Sequence, residues 1–441
     1  MSRLNRRSFM KSVALSTAGF GLAATTGAFP APAFSRDANA NSKLNLAHVG
    51  VAGMQGSFHR GGIAKENRIG VCDVDEKYLD QFGAEMPNAK RYVDFREMYA
   101  ELGDKLDGVV ITTPDHTHAI AAIEAMKLGI AAYVEKPLAH DVYQIRQMQK
   151  IAREKNLATQ MGTQIHAGDN YRRVVELVQS GAIGEIKQVD VWCGTVWGGK
   201  PRATDKQDVP KGLHWDLWLG PAPERDYNSC YFGGSWRGFW DFGNGGMGDM
   251  GCHFMDLVFW ALGLKYPTTI EANAAEAADA DYAPKDLQVK YEFPALPGSK
   301  SPLTVTWSDG ARKPDSLKEY GLENYGNGVL FIGSEGAIYS NYSQHTILPK
   351  DKFEGFKAPN PTIPSSVGHH QEWINAIKTG GRGETTCNFD YSGRLAETIL
   401  LGPVAYRCGQ KLVYDAENMK VTNCDKAAAF LKQAVRAGWE V

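Results

Sequence analysis

The chain has 441 residues, with 48 lysines and arginines against 50 aspartates and glutamates for a net charge of -2, and its length points to two domains of roughly 100 to 200 residues each. A composition of 43% hydrophobic and 22% charged residues excludes a disordered chain and a membrane-embedded body. Without a basic excess or basic stripe, nucleic acid is not an expected partner.

Residues 1–40 read as a leader. Asn5-Arg6-Arg7-Ser8-Phe9-Met10-Lys11 precedes an uncharged stretch from Ser12 to about Phe29, then Ala31-Pro32-Ala33 and Ala38-Asn39-Ala40. Paired arginines, a weakly apolar stretch and small residues in that order predict a twin-arginine signal. The export machinery is then an expected partner, and the periplasm or another exported location the expected compartment. The stretch is too rich in Gly, Ala and Thr to anchor stably in lipid. Because that pathway carries folded proteins, a cofactor acquired in the cytoplasm could travel with the chain. The seven cysteines contain no C-x-x-C pair, so neither a simple zinc pattern nor a disulfide framework is expected.

Leu44 to Val49 predicts a short strand, followed by Gly50-Val51-Ala52-Gly53-Met54-Gln55-Gly56 and a helix. A chain that turns sharply between strand and helix brings backbone N–H groups to a pyrophosphate, which assigns Gly50, Ala52, Gly53, Met54 and Gln55 to cofactor binding. The pattern departs from G-x-G-x-x-G. Ala52 and Gln55 stand where the second and third glycines belong, with Gly53 and Gly56 displaced by one. A second strand, Ile69 to Cys72, ends at Asp73, about 20 residues on, where a carboxylate would accept the ribose hydroxyls and favour NAD, with NADP possible.

A third strand, Gly108 to Thr112, closes on Thr113-Pro114-Asp115-His116-Thr117-His118, read as a loop over the dinucleotide with Thr113 and His116 as contacts. A helix, Ala119 to Leu128, and a strand, Ile130 to Val134, lead to Glu135-Lys136-Pro137 at the ligand edge of the sheet. Gly162-Thr163-Gln164 closes this unit, and Gln164 joins Glu135 and Lys136 as a cofactor contact. Alternation of strand and helix predicts an α/β Rossmann domain, a doubly wound parallel sheet, over residues 41–165.

Residues 166–441 read as an α+β domain. A helix from Asn170 to Ser180 precedes strands at Ile186–Trp192, Thr269–Ala272, Gln288–Phe293, Leu303–Trp307 and Gly328–Ile332, giving a largely antiparallel sheet. The Pro-rich run from Ala358 to Ser366 reads as a loop, with helices near Gln371–Thr379 and Ser392–Tyr406. Between Trp192 and Trp240, aromatic residues are interleaved with donors. Trp236 and Arg237 are the substrate contacts chosen from them.

Glu135-Lys136-Pro137, together with Gly245-Gly246-Met247-Gly248-Asp249-Met250-Gly251-Cys252-His253, resembles the glucose-fructose oxidoreductase and inositol dehydrogenase family, known as Gfo/Idh/MocA. The resemblance covers essentially the whole mature chain. It implies Lys136 and His253 as a catalytic pair, with Asp249 orienting the substrate and tuning the histidine. It also implies a sugar or polyol substrate and a homo-oligomer formed through the open face of the second sheet. Asp249 and His253, four apart on a helix, share one face. A histidine near its working pH can take a hydroxyl proton, and Lys136 can steady the alkoxide. The alternatives are an NAD-dependent glycosidase that oxidises its sugar transiently, and a non-catalytic sugar or nucleotide binding module. A metal hydrolase resting on Asp249, His253 and Asp256 is more remote, and no metal is assigned.

Overall fold

The computed structural model of the chain describes residues 42–381 and 385–441. The predicted export signal, residues 1–40, lies outside the described residues. The first sheet is built from β1 (Asn45–Val49), β2 (Asn67–Cys72), β3 (Lys90–Tyr92), β4 (Gly108–Ile111), β5 (Ala131–Glu135) and β6 (Thr159–Gly162), in the order β3-β2-β1-β4-β5-β6. Every pairing is parallel, as in a dinucleotide fold whose strand order reverses at β1 and β4. The strands β4, β5 and β6 are buried at every residue. Helices cover both faces, so sequences such as Gly-Val-Val-Ile are continuously apolar rather than alternating.

The helix predicted to start at Ala119 begins at Asp115 and runs to Lys127. Pro114 caps it with φ -59, and Asp115 lies in its first turn, a placement that complements the helix dipole. His116 and His118 are therefore helical rather than part of a loop.

The second sheet is formed by β7 (Ile186–Cys193), β8 (Thr269–Asn273), β9 (Gln288–Phe293), β10 (Leu303–Asp309), β11 (Asn327–Gly333), β12 (Ala337–Ser340), β13 (His345–Leu348), β14 (Leu412–Asp415) and β15 (Lys420–Val421). Its order is β13-β12-β11-β7-β10-β9-β8-β14-β15. All pairings are antiparallel except β7 with β10. The helices Gly245–Leu262 and Phe389–Cys408 pack between the sheets. The first stops at Gly263, which takes the left-handed conformation, φ 61, that closes helices without the steric penalty of a Cβ. No helix among the described residues is long and apolar enough to cross a membrane. All seven cysteines are free thiols.

Two segments from beyond the second domain's start reach back over the first. The loop before the short Trp215–Leu219 helix pairs with the end of β2: Glu76 N donates to Gly212 O at 2.9 Å, His214 N to Val74 O at 2.9 Å, and Leu213 bridges Asp75. Arg436 then ties the last segment to this loop through Gly220 O at 2.8 Å. Trp439 lies 4.2 Å from the Arg96 guanidinium and edge-on to Phe95.

Candidate active site

At the carboxyl ends of β1, β4 and β5 a cavity of about 770 Å³ runs between the two domains. One end is formed by Asp73, Asp75, Tyr78, Phe95 and Trp439, the other by Trp197, Trp236, Arg237, Asp249 and His253.

The glycine turn explains itself once it is folded. The helix begins at Gly53 rather than after Gly56. Gly50 has φ 82, and a Cβ there would stand 2.8 Å from the Thr112 carbonyl carbon. Gly53 has φ 72 and open space around it, so its backbone is accessible to a ligand. At Gly56 a Cβ would collide with the Val51 carbonyl. The three glycines thus do the jobs of tight turn, close ligand approach and close helix packing, which explains why the one-residue displacement is tolerated. No side chain caps this helix and its first turn holds no acid, leaving its N–H groups to an anion. Asp73, at the end of β2, accepts from Val51 N at 2.9 Å and Asp75 N at 3.1 Å. Burial pushes its carboxyl up to about 6, against those hydrogen bonds. The donor set, an uncapped helix start beside a carboxylate at the β2 end, fits a dinucleotide.

Gly50, Ala52, Gly53, Met54, Gln55, Asp73, Thr113, Glu135 and Lys136 all line the cavity. Two expected cofactor contacts do not. His116 is buried against Phe242 and Trp218 and bonds the Trp218 carbonyl at 2.9 Å. Gln164 stands behind Glu135, donating to Oε1 at 2.5 Å. Both belong to the layer that supports the cavity wall.

At the other end, the helix Gly245–Leu262 exposes Asp249, Met250 and His253 to the cavity and buries most of the rest. Asp249 does not serve His253, as was expected. Its Oδ1 accepts from Lys136 Nζ at 2.7 Å and Arg237 Nε at 3.0 Å, and its Oδ2 from Trp197 Nε1 at 2.6 Å. Lys136 Nζ also donates to the Asp249 carbonyl at 2.7 Å. Burial alone would raise the Asp249 carboxyl, but Lys136 and Arg237 hold it well below the usual carboxylate range. Nδ1 of His253 has no hydrogen-bond partner among the described residues. Burial, then the Lys136 charge, pulls that imidazole down to about 4, so it is neutral and able to accept a proton at neutral pH.

Asp256 turns away from the cavity. It accepts from His166 Nδ1 at 2.9 Å and Tyr391 OH at 2.7 Å, with Cys387 beside them. The grouping of Asp249, His253 and Asp256 expected of a metal hydrolase is not formed.

Beneath the cavity lies a chain that the sequence did not announce. Glu135 Oε1 accepts from His59 Nε2 at 2.6 Å, and His59 Nδ1 meets His370 Nε2 at 2.7 Å, with His370 stacked on Tyr133. Burial would raise Glu135, but His59 and Lys136 bring it down to about 2. This chain holds the carboxylate next to Lys136 ionised and immobile.

Residues 44–163 match the NAD-binding Rossmann fold of the Gfo/Idh/MocA oxidoreductase family, and residues 168–441 its C-terminal alpha/beta domain. The chain belongs to the Gfo/Idh/MocA family. Its N-terminal domain is an NAD-binding Rossmann domain, and the family's Glu-Lys-Pro and Asp-x-x-x-His elements meet at the cavity described above. The chain is similar to the WlbA dehydrogenase from Bordetella pertussis, solved with NADH and UDP-GlcNAcA: TM-score 0.60, 18% identity, 85% of this chain and 99% of that one. It is also similar to an inositol dehydrogenase homolog from Azotobacter vinelandii, solved with NADH and myo-inositol: TM-score 0.56, 14% identity, 85% of this chain and 98% of that one. At these identities the likeness is one of fold. A stretch of 203 residues is 30% identical to a glycosyl hydrolase family 109 protein of Shewanella pealeana, covering 42% of this chain and 44% of that protein. The chain matches less than half the length of such curated relatives.

Tyr342 and Asp115, which sequence reasoning left out, also line the cavity of this family member. Tyr342 stacks on Phe254 and stands 6.0 Å from His253. Burial pushes the Asp115 carboxyl up to about 7, opposed by Arg237 and Lys136. Asp115 was legible as a helix-start acid after Pro114. Tyr342, in a loop between two short strands, carried no such signal.

Proposed function

We propose that the protein is an exported oxidoreductase that moves a hydride between NAD and a secondary alcohol of a sugar, polyol or sugar derivative. The observation that carries the reading is the convergence of the Lys136 ammonium and the bare, neutral His253 imidazole on one cavity, beside the nucleotide-binding turn. The dinucleotide, when bound, supplies the hydride acceptor or donor. Gly50, Gly53 and the N–H groups of Met54 and Gln55 would hold its pyrophosphate, and Asp73 its adenosine ribose.

In this reading His253 takes the proton of the substrate hydroxyl, and Lys136, held in place by Asp249, donates to the same oxygen and stabilises its developing negative charge. Asp249 is a positioning residue for Lys136 and Arg237 rather than the partner of His253. The boundaries assigned to export signal, Rossmann domain and α+β domain are 1–40, 41–165 and 166–441, with the periplasm as the destination. Copies would assemble through the open face of the second sheet, where Gln288, Lys290, Thr304 and Thr306 are only partly buried or exposed.

Two measurements test this. Denaturing the purified protein should release NAD(H), identified by mass spectrometry, and Lys136→Met should abolish nicotinamide reduction while the nucleotide stays bound. A wild-type protein without nucleotide, and with no affinity for it, would leave a binding module. A second reading, an NAD-dependent glycosidase, is favoured by the glycosyl hydrolase family 109 relatives. Cleavage of a glycoside without accumulation of NADH would select it.

A further inference from the structure

Arg237 sits in the short turn Ser235–Gly238, entered through Gly234 at φ 95. Gly234 leaves room for it: a Cβ there would stand 3.2 Å from Nη1. The guanidinium lies over the Trp236 ring at 4.3 Å and beside Trp197 at 5.4 Å. Only Nε is committed, to Asp249 Oδ1 at 3.0 Å. The two Nη groups have no hydrogen-bond partner among the described residues, and the side chain lines the cavity, 22% exposed.

Arg237 shares its counter-ion at this end. Asp249 Oδ1 alone serves both Lys136 and Arg237. Glu135, ionised, faces Lys136 and accepts from His59 and Gln164. The remaining acid, Asp115, is buried, and burial pushes its carboxyl up to about 7, so it is only partly ionised at neutral pH. A cation with an open fork between aromatic rings, and no anion of its own, is costly to desolvate under a neutral ligand. The same fork matches a planar carboxylate with two parallel hydrogen bonds.

From the free Nη edge of Arg237 and its shared counter-ion we infer that the substrate is a sugar acid, its carboxylate seated on Arg237 between Trp197 and Trp236. The inference rests on the sugar oxidoreductase reading and narrows its substrate class. A bidentate charge-assisted contact predicts a preference of about tenfold or more for the acid over its neutral parent.

The test uses the nucleotide-loaded protein, with binding of D-glucuronate, D-galacturonate and D-mannuronate compared with their parent aldoses by calorimetry. At least one uronate should bind about tenfold or more tightly than its parent. Arg237→Gln should abolish that preference and Arg237→Lys keep part of it, the charge remaining without the fork. Parent sugars binding within about threefold of their acids, a preference that survives in both variants, or no uronate bound at about 10 mM would each overturn the inference. Nicotinamide absorbance, read in the same samples, separates the two claims. A uronate preference without any hydride transfer sinks the oxidoreductase reading and leaves Arg237 assigned. Reduction by neutral sugars without acid preference does the reverse.

Discussion

Asp115 occupies a position where burial and chemistry pull apart. Its carboxyl ionises near 7 in the folded chain against 3.8 for a free one. Folding therefore disfavours its charged form, with a penalty absent below the unfolded value, growing as pH rises and complete above about 7. Asp115→Asn removes the penalty. The variant should match the wild type near pH 4 and exceed it in urea unfolding at pH 8, by at most about 4 kcal/mol from a shift of roughly three units. A stability difference that does not widen with pH would contradict this. Lys136, Asp249 and His253 were legible because short motifs carry them, but a spacing of four residues defines a helix face and not a partner. That Asp249 answers to Lys136, Arg237 and Trp197 depends on three separate segments. The His59–His370 contact joins residues 311 apart, a separation at which no local pattern exists.

The strand–turn–helix unit at the start of the first sheet makes predictions of its own. Gly56→Ala would force its new methyl into the Val51 carbonyl, lifting the helix start away from β1. The expected result is a loss of about 2 kcal/mol or more of stability, whereas Gly53→Ala, strained at φ 72 but free of protein contacts, should cost about 1 kcal/mol and act on NAD affinity by placing its methyl where the ligand approaches. Side-by-side melting and NAD titration would check both. Asp73 titrates near 6, so its carboxylate is a full acceptor at neutral pH and weakens on acidification. NAD dissociation should rise severalfold from about pH 7 to pH 5 in the wild type and stay flat in Asp73→Asn. At this scale long or repeated elements are legible in the sequence and short ones are not. The strands missed, β3, β6, β12, β13, β14 and β15, have at most four residues each and no room for a period to declare itself. Pro114-Asp115 starts a helix where a loop is predicted, because the H-x-H spacing after it also suits a loop over a ligand.

Across the whole molecule, a parallel first sheet and a largely antiparallel second one followed from alternation and spacing, but the crossing of segments over the β2 end did not. Those contacts depend on where the chain returns, through backbone groups at Gly212 and His214 and through the Arg436 and Trp439 side chains. Trp439 is 6% exposed, and together with Leu213 and Leu217 it walls the Asp73 end of the cavity. Trp439→Ala should cost about 3 kcal/mol and speed NAD release about tenfold, measured by displacement of bound nucleotide. An unchanged release rate would mean that this wall does not hold the ligand. The wall also imposes an order of assembly. On the ribosome, residues 44–163 emerge long before Arg436 and Trp439, so the nucleotide groove exists for a time with one side missing. Coenzyme that arrives in that interval is enclosed by the segment synthesised after it. Coenzyme offered to a finished apoprotein meets the groove with that wall already in place, so refolding in the presence of NAD should load the protein faster than adding NAD afterwards.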